Sequence, residues 1–166
     1  ITEYKKDKSN KEYISQVQKL YDIVAAIGIF FGFAIMIFGG LAVRILYGEQ
    51  YEGATNVLKI SVWAGLFATL GSARVIWLIN ENLQKYSIFY TVTGAIVNIA
   101  LNFIMIPKLG AIGAAITTLV SQFVANIIVL LFFKDTRISS IMILKAIFLI
   151  EPIKKIKNRL EKNKNE

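Results

Sequence analysis

The stretch Asn98-IALNFIMIPKLGAIGAAITTLVS-Gln122 decides the fold. Asn98 and Asn102 stand four apart in an otherwise apolar run. That run reads as a helix stopping at Pro107, turning at Gly110 and re-entering a second apolar helix through Gly113, Ala114 and Ala115. Side-chain amides are costly in hydrocarbon unless they face a partner helix or a wet cavity. The stretch is therefore expected to be a transmembrane hairpin with one side reserved for polar contacts.

Working outward, four segments are long and apolar enough to cross a bilayer, which takes roughly 20 residues. They are Tyr21–Leu46, Val57–Ile79, Tyr86–Ile106 and Ala111–Phe133. Gly48 can end the first, Asn80-Glu81-Asn82 make a polar turn, and Pro107-Lys108-Leu109-Gly110 make another. Tyr47, Tyr51, Tyr86 and Tyr90 sit where an aromatic belt would. The expected class is all-α, a polytopic membrane bundle. Residues 1–20 form a basic lead-in, 21–133 the four-helix region, and 134–166 a basic tail with an interfacial amphipathic helix.

The chain is 55% hydrophobic with mean hydropathy +0.57, yet its net charge is +8. The two properties are segregated along the chain, with charges crowded into 1–19 and 134–166. That pattern fits basic membrane flanks and not a nucleic-acid binder, which would carry a basic face on a soluble fold. There is no Cys and no His, so disulfides and the commonest metal ligands and general base are missing. Because the chain begins at Ile1, it is expected to be the C-terminal part of a longer protein, with preceding helices as its partners. Neither a metal nor a cofactor is called for.

Lys5, Lys6, Lys8, Lys11, Lys19, Lys85 and the tail from Lys134 fall on one side of the four spans, and only Arg44, Lys59 and Lys108 on the other. The positive-inside tendency then makes the N-terminal segment, the 80–85 turn and the C-terminus cytoplasmic. Ile138–Ile150 is too short to cross comfortably and is expected at the interface. Ile153, Ile156 and Leu160 recur at helical spacing among lysines. That suits either an amphipathic helix on anionic lipid or a solvated tail.

At 100° per residue, Ser87, Thr91, Gly94, Ala95, Asn98 and Asn102 share one stripe of the third span. The stripe fits interhelical hydrogen bonding, worth about 0.6–2 kcal/mol per contact, or a cavity wall for a polar solute. In the fourth span Gly113, Thr117 and Ser121 form a packing face, and Thr118, Gln122 and Asn126 a more polar side. Ile112, Ile116, Phe123 and Ile127 are left for lipid. Gly28 and Gly32 belong to a small-residue seam in the first span, read as helix packing. Arg74 is the one full charge well inside a span. Arginine there is a functional candidate by default, but the nearby helix end lets its stem snorkel. This favours an interfacial anchor, with Glu81 as partner, over a substrate contact. Acidic residues are expected only at the rims, at Asp22, Glu49, Glu52 and Glu81. No Gly-rich phosphate loop, HExxH or nucleophile–base pair is present, so no enzyme is expected.

The run LYGEQYEGATNVLKI (46–60), the series Asn98, Asn102, Pro107, Gly110, Gly113, Ala114, Ala115, and FKDTR (133–137) together resemble the C-terminal region of polysaccharide transporter flippases. That superfamily also holds the MATE exporters and the lipid II flippase. The resemblance covers roughly Tyr13 to Arg137 and implies two six-helix lobes around a central cavity that alternates between membrane faces. It also implies transport of undecaprenyl-diphosphate-linked oligosaccharide for O-antigen or capsule. Sugar hydroxyls would suit Thr91, Asn98, Asn102, Gln122 and Asn126, whose groups both donate and accept. Arg74 is the only cation for a diphosphate. The alternatives are a cation-coupled multidrug exporter of the same superfamily, a membrane-embedded polymerase or glycosyltransferase, and a purely structural subunit.

Overall fold

The computed structural model describes residues 2–150, with side chains from residue 10 onward. The expected amphipathic repeat at Ile153, Ile156 and Leu160 lies outside the described residues. No strand occurs among the described residues, and four helices are long and apolar enough to span a membrane. We label them α1 (Thr2–Tyr47), α2 (Ala54–Asn80), α3 (Ser87–Leu109) and α4 (Ala111–Leu131). A short α5 (Arg137–Ile147) follows.

At 1.5 Å per residue, the 46 residues of α1 reach about 70 Å, twice the hydrocarbon thickness. The lead-in is thus not a separate element. Ile14 and Val17 continue the span's buried side onto the core, and Gln18 Nε2 donates to the Met142 carbonyl at 3.0 Å. Asp22, expected at a rim, is buried and accepts from Gln18 at 2.8 Å. The helix ends at Gly48, whose φ of 91° only glycine adopts at little cost.

The connection between α3 and α4 corrects the expected four-residue turn. The helix runs through Pro107 to Leu109, and the chain reverses at Gly110 alone, with φ 56° and ψ −133°. Proline is tolerated here because it sits in the last turn, where one lost backbone bond leaves the Gly110 N–H to Ile106 O bond (2.8 Å) intact. So short a joint presses the two helices together. A Cβ at Gly113 would run into the Met105 backbone carbonyl, so only glycine fits there.

Within α4 the backbone widens to a π segment at Val124–Ile128. Such a bulge leaves carbonyls without their usual helical donors. Side chains from two other helices supply them: Arg74 Nη1 donates to Asn126 O at 3.0 Å, and Ser140 Oγ to Ile127 O at 3.2 Å. The bulge also turns Ile127 inward. Expected to face lipid, it is 1% exposed and packs with Tyr21, Leu66, Leu70 and Ile143 in the core.

The FKDTR turn closes the end of α4. Thr136 Oγ1 donates to Leu130 O (2.9 Å) and Arg137 Nε to Leu131 O (3.0 Å), satisfying carbonyls that a helix end leaves open. Asp135 accepts from Tyr86 at 2.6 Å, and Phe133 packs against Tyr86 and Phe89. Beyond the turn, α5 does not float. Ser139, Ser140, Met142, Ile143 and Ala146 are buried, and Tyr21 and Ser139 share a hydroxyl hydrogen bond of 2.9 Å. Its apolar face is spent on α1 and the π segment.

Candidate functional site: a polar cleft between α3 and α4

The polar stripe of α3 meets the polar sides of α4 at Asn98 and Asn102. Asn102 Nδ2 donates to Asn98 Oδ1 (3.0 Å), Asn98 Nδ2 to Ser121 Oγ (3.2 Å), and Thr117 Oγ1 to Asn102 Oδ1. Ser121 in turn donates to Thr118 O at 3.0 Å. This chain is the seam that the two asparagines form with the packing face of α4. Thr117 is fully buried in it, and Gly113 allows the close approach.

Toward the Tyr90 end the seam opens into a cleft of about 410 Å³. Thr91, Asn98, Gln122 and Asn126 line it, four of the residues singled out from sequence, together with Tyr90 and Thr118. Asn102 is not in its lining and belongs to the seam. Asn126 donates to Gln122 O (2.9 Å) and to Gln122 Oε1 (2.8 Å), so those two amides stand as one unit. Thr91 is exposed, and its hydroxyl has no partner among the described residues. Gly94 faces Ala125 across the cleft so closely that a Cβ there would stand 2.9 Å from the alanine methyl.

Arg74 overturns the anchor reading. It does not snorkel and does not reach Glu81; its relative exposure is 0%. Its guanidinium lies 4.2 Å from the centre of the Tyr90 ring and bonds the Asn126 carbonyl, while its Nε has no partner. The cation therefore stands behind the cleft wall, touching two residues that form that wall. It shares α2's buried face with Leu70 and Trp77, and the opposite face carries exposed Ser61, Gly65, Thr69 and Ser72. Thr69 and Ser72 turn their hydroxyls back to the Gly65 and Ala68 carbonyls at 3.0 and 3.1 Å, which suits an apolar surrounding.

Sequence reasoning missed Tyr90, taken as belt, and Gly71. A Cβ on Gly71 would strike the Asn126 amide, so Gly71 and Arg74, one turn apart on α2, together seat Asn126. The Gly-x-x-Arg spacing was the available signal; the π segment that makes it meaningful left none. In the first span Gly28 faces Leu66, and Gly32 faces the Trp63 ring, where a Cβ would stand 3.0 Å away.

Comparison with known proteins adds a second line. Over 125 residues, 72% of this chain, 31% of positions are identical to the capsular polysaccharide biosynthesis protein CapF of Staphylococcus aureus. The likeness is to a capsule protein. An uncharacterized membrane protein of Methanocaldococcus jannaschii, MJ1068, is 31% identical over 87 residues, 52% of this chain. The chain spans 31% of the length of the capsule protein and 17% of the archaeal one. No family model matches, and no solved structure matches. The spans and these likenesses together fit a multi-pass membrane protein related to polysaccharide biosynthesis.

Proposed function

We propose that this chain is the C-terminal part of a flippase carrying lipid-linked oligosaccharide across the cytoplasmic membrane of a bacterium, with its C-terminus in the cytoplasm. The observation that carries the reading is the α3–α4 cleft: neutral amides and hydroxyls gathered inside a helical pair whose outer sides are apolar. Ile88, Val92, Ile96, Ile99 and Phe103 on those outer sides are 50–78% exposed. Groups that both donate and accept can exchange partners with successive sugar hydroxyls without holding any one tightly, as a transported solute requires. Movement would come from rocking of this helical unit against the preceding helices, with no covalent chemistry and no cofactor. The likeness to a capsule protein supports the glycan as cargo.

The cleft and the seam are separable by mutation. In the full-length protein, Thr91→Val with Gln122→Leu removes cleft groups without touching the Asn98–Asn102–Thr117 chain. Surface polysaccharide is expected to fall at least tenfold, with lipid-linked precursor accumulating inside and the protein at its normal membrane level. Asn102→Leu is expected instead to lower the melting temperature, as loss of a seam bond worth about 0.6–2 kcal/mol would. Normal polysaccharide in the double variant would remove the cleft from the transport path.

A further inference from the structure

The run 46–60 holds more polar residues than a connection between two spans needs, and neither the seam nor the cleft uses them. Arg44, Glu49, Glu52, Thr55, Asn56 and Lys59 converge with Gly40 on a hollow of about 670 Å³ where α1 ends and α2 begins. We propose that this hollow, with the groove below it, binds a bilayer phospholipid with a zwitterionic amine-bearing headgroup, of the phosphatidylethanolamine type. The proposal does not rest on the transport reading.

Three observations converge. First, the charges do not cancel among themselves. Arg44 is paired with Glu49. Lys59 and Glu52 share the hollow, and neither side chain has a partner among the described residues. One free cation and one free carboxylate suit a ligand bearing one anion and one cation. A diphosphate lipid would bring more negative charge than the single free cation, Lys59, can answer, with the free Glu52 carboxylate beside it.

Second, the hollow has an unused donor and an uncapped helix start. Thr55 is only 9% exposed, yet its Oγ1 has no hydrogen-bond partner. Gly53, preceding α2, supplies no side-chain cap; the Thr55 N–H bonds the Glu52 carbonyl at 3.0 Å, which leaves its hydroxyl, at the positive end of a 27-residue helix, to a phosphate. The Thr55 methyl side lies against Gly40, and the Lys59 stem lies against Gly39, where Cβ atoms would stand 3.6 and 3.9 Å away. The paired glycines let α1 form the floor of the hollow.

Third, the polar hollow shares two of its walls with an apolar one. Asn56 and Lys59 also line a groove of about 470 Å³ whose other walls are Met36, Ile60, Trp63, Ile112 and Leu119, drawn from α1, α2 and α4. A polar mouth adjoining an apolar trough on membrane-spanning helices has the layout of a headgroup with its acyl chain. Among the described residues cations are sparse at this end of the bundle, where only Lys108 joins Arg44 and Lys59. Two of the three line one hollow.

The test is native mass spectrometry of the full-length protein in mild detergent, exchanged against phosphatidylethanolamine, phosphatidylcholine, phosphatidylglycerol and undecaprenyl phosphate. Phosphatidylethanolamine is expected to be retained at least tenfold over phosphatidylglycerol and several-fold over phosphatidylcholine, whose quaternary amine cannot donate to Glu52. Lys59→Gln is expected to remove that retention. Glu52→Lys, an exposed change that should not disturb folding, is expected to invert the preference toward phosphatidylglycerol. Equal retention of the lipids, or a preference unmoved by Glu52→Lys, would overturn the proposal. Tighter retention of undecaprenyl phosphate than of phosphatidylethanolamine would overturn it as well, by giving the hollow to a cargo-type lipid.

Discussion

Arg74→Glu in the full-length protein is expected to abolish accumulation of folded material. In the parent the guanidinium donates to the Asn126 carbonyl and lies over the Tyr90 ring. A carboxylate there would face a carbonyl oxygen and the negative face of an aromatic ring, buried and without a donor. Leaving a buried charge uncompensated costs about 3–5 kcal/mol, a large fraction of the stability of a typical domain. Arg74→Met behaves differently. It loses a bond to a buried carbonyl, about 1–3 kcal/mol, but also relieves the desolvation of the cation. Its stability is expected to lie within about 2 kcal/mol of the parent, so that it still accumulates and melts cooperatively. Fluorescence-detected gel filtration of detergent extracts separates the two outcomes. A Glu variant that accumulates and melts like the parent would mean that the side chain reaches water after all.

The second large effect is at Gly113. The obstacle a Cβ meets there is the Met105 backbone carbonyl, with the Ile106 nitrogen beside it at 3.1 Å. Backbone cannot move aside as a side chain can, and the single-residue joint at Gly110 leaves the helices no slack. Gly113→Val is expected to cost about 3 kcal/mol, the upper part of the overpacking range, and to part the Asn98–Ser121 and Asn102–Thr117 contacts. Gly53→Ala is the control. Nothing lies within 4 Å of a Cβ there, and its φ of −58° suits any residue. It is expected to gain about 0.4–1 kcal/mol by restricting the unfolded chain. Thermal melting of purified full-length protein checks both, and equal melting of the two variants would refute the close approach.

Much of the site was legible because helical periodicity is a local property. Asn98 and Asn102 recur at four residues, and Thr117 and Ser121 do the same, so each pair had to share a face before any partner was known. Which pair met which was settled by the Gly110 joint, since so tight a reversal leaves the two faces nowhere else to go. The cleft residues Thr91, Gln122 and Asn126 were likewise recoverable from their stripes.

Apolar run length and glycine punctuation determined the four helices, their order and the polar flank of the hairpin, because each depends on near neighbours in the chain. The tertiary structure alone decided the fate of Arg74, Ile127 and α5. All three turn on the π segment of α4, where one helix widens only because side chains from α2 and α5 arrive to bond Asn126 O and Ile127 O. A carbonyl's dependence on a donor 52 residues away leaves no periodic trace in the sequence.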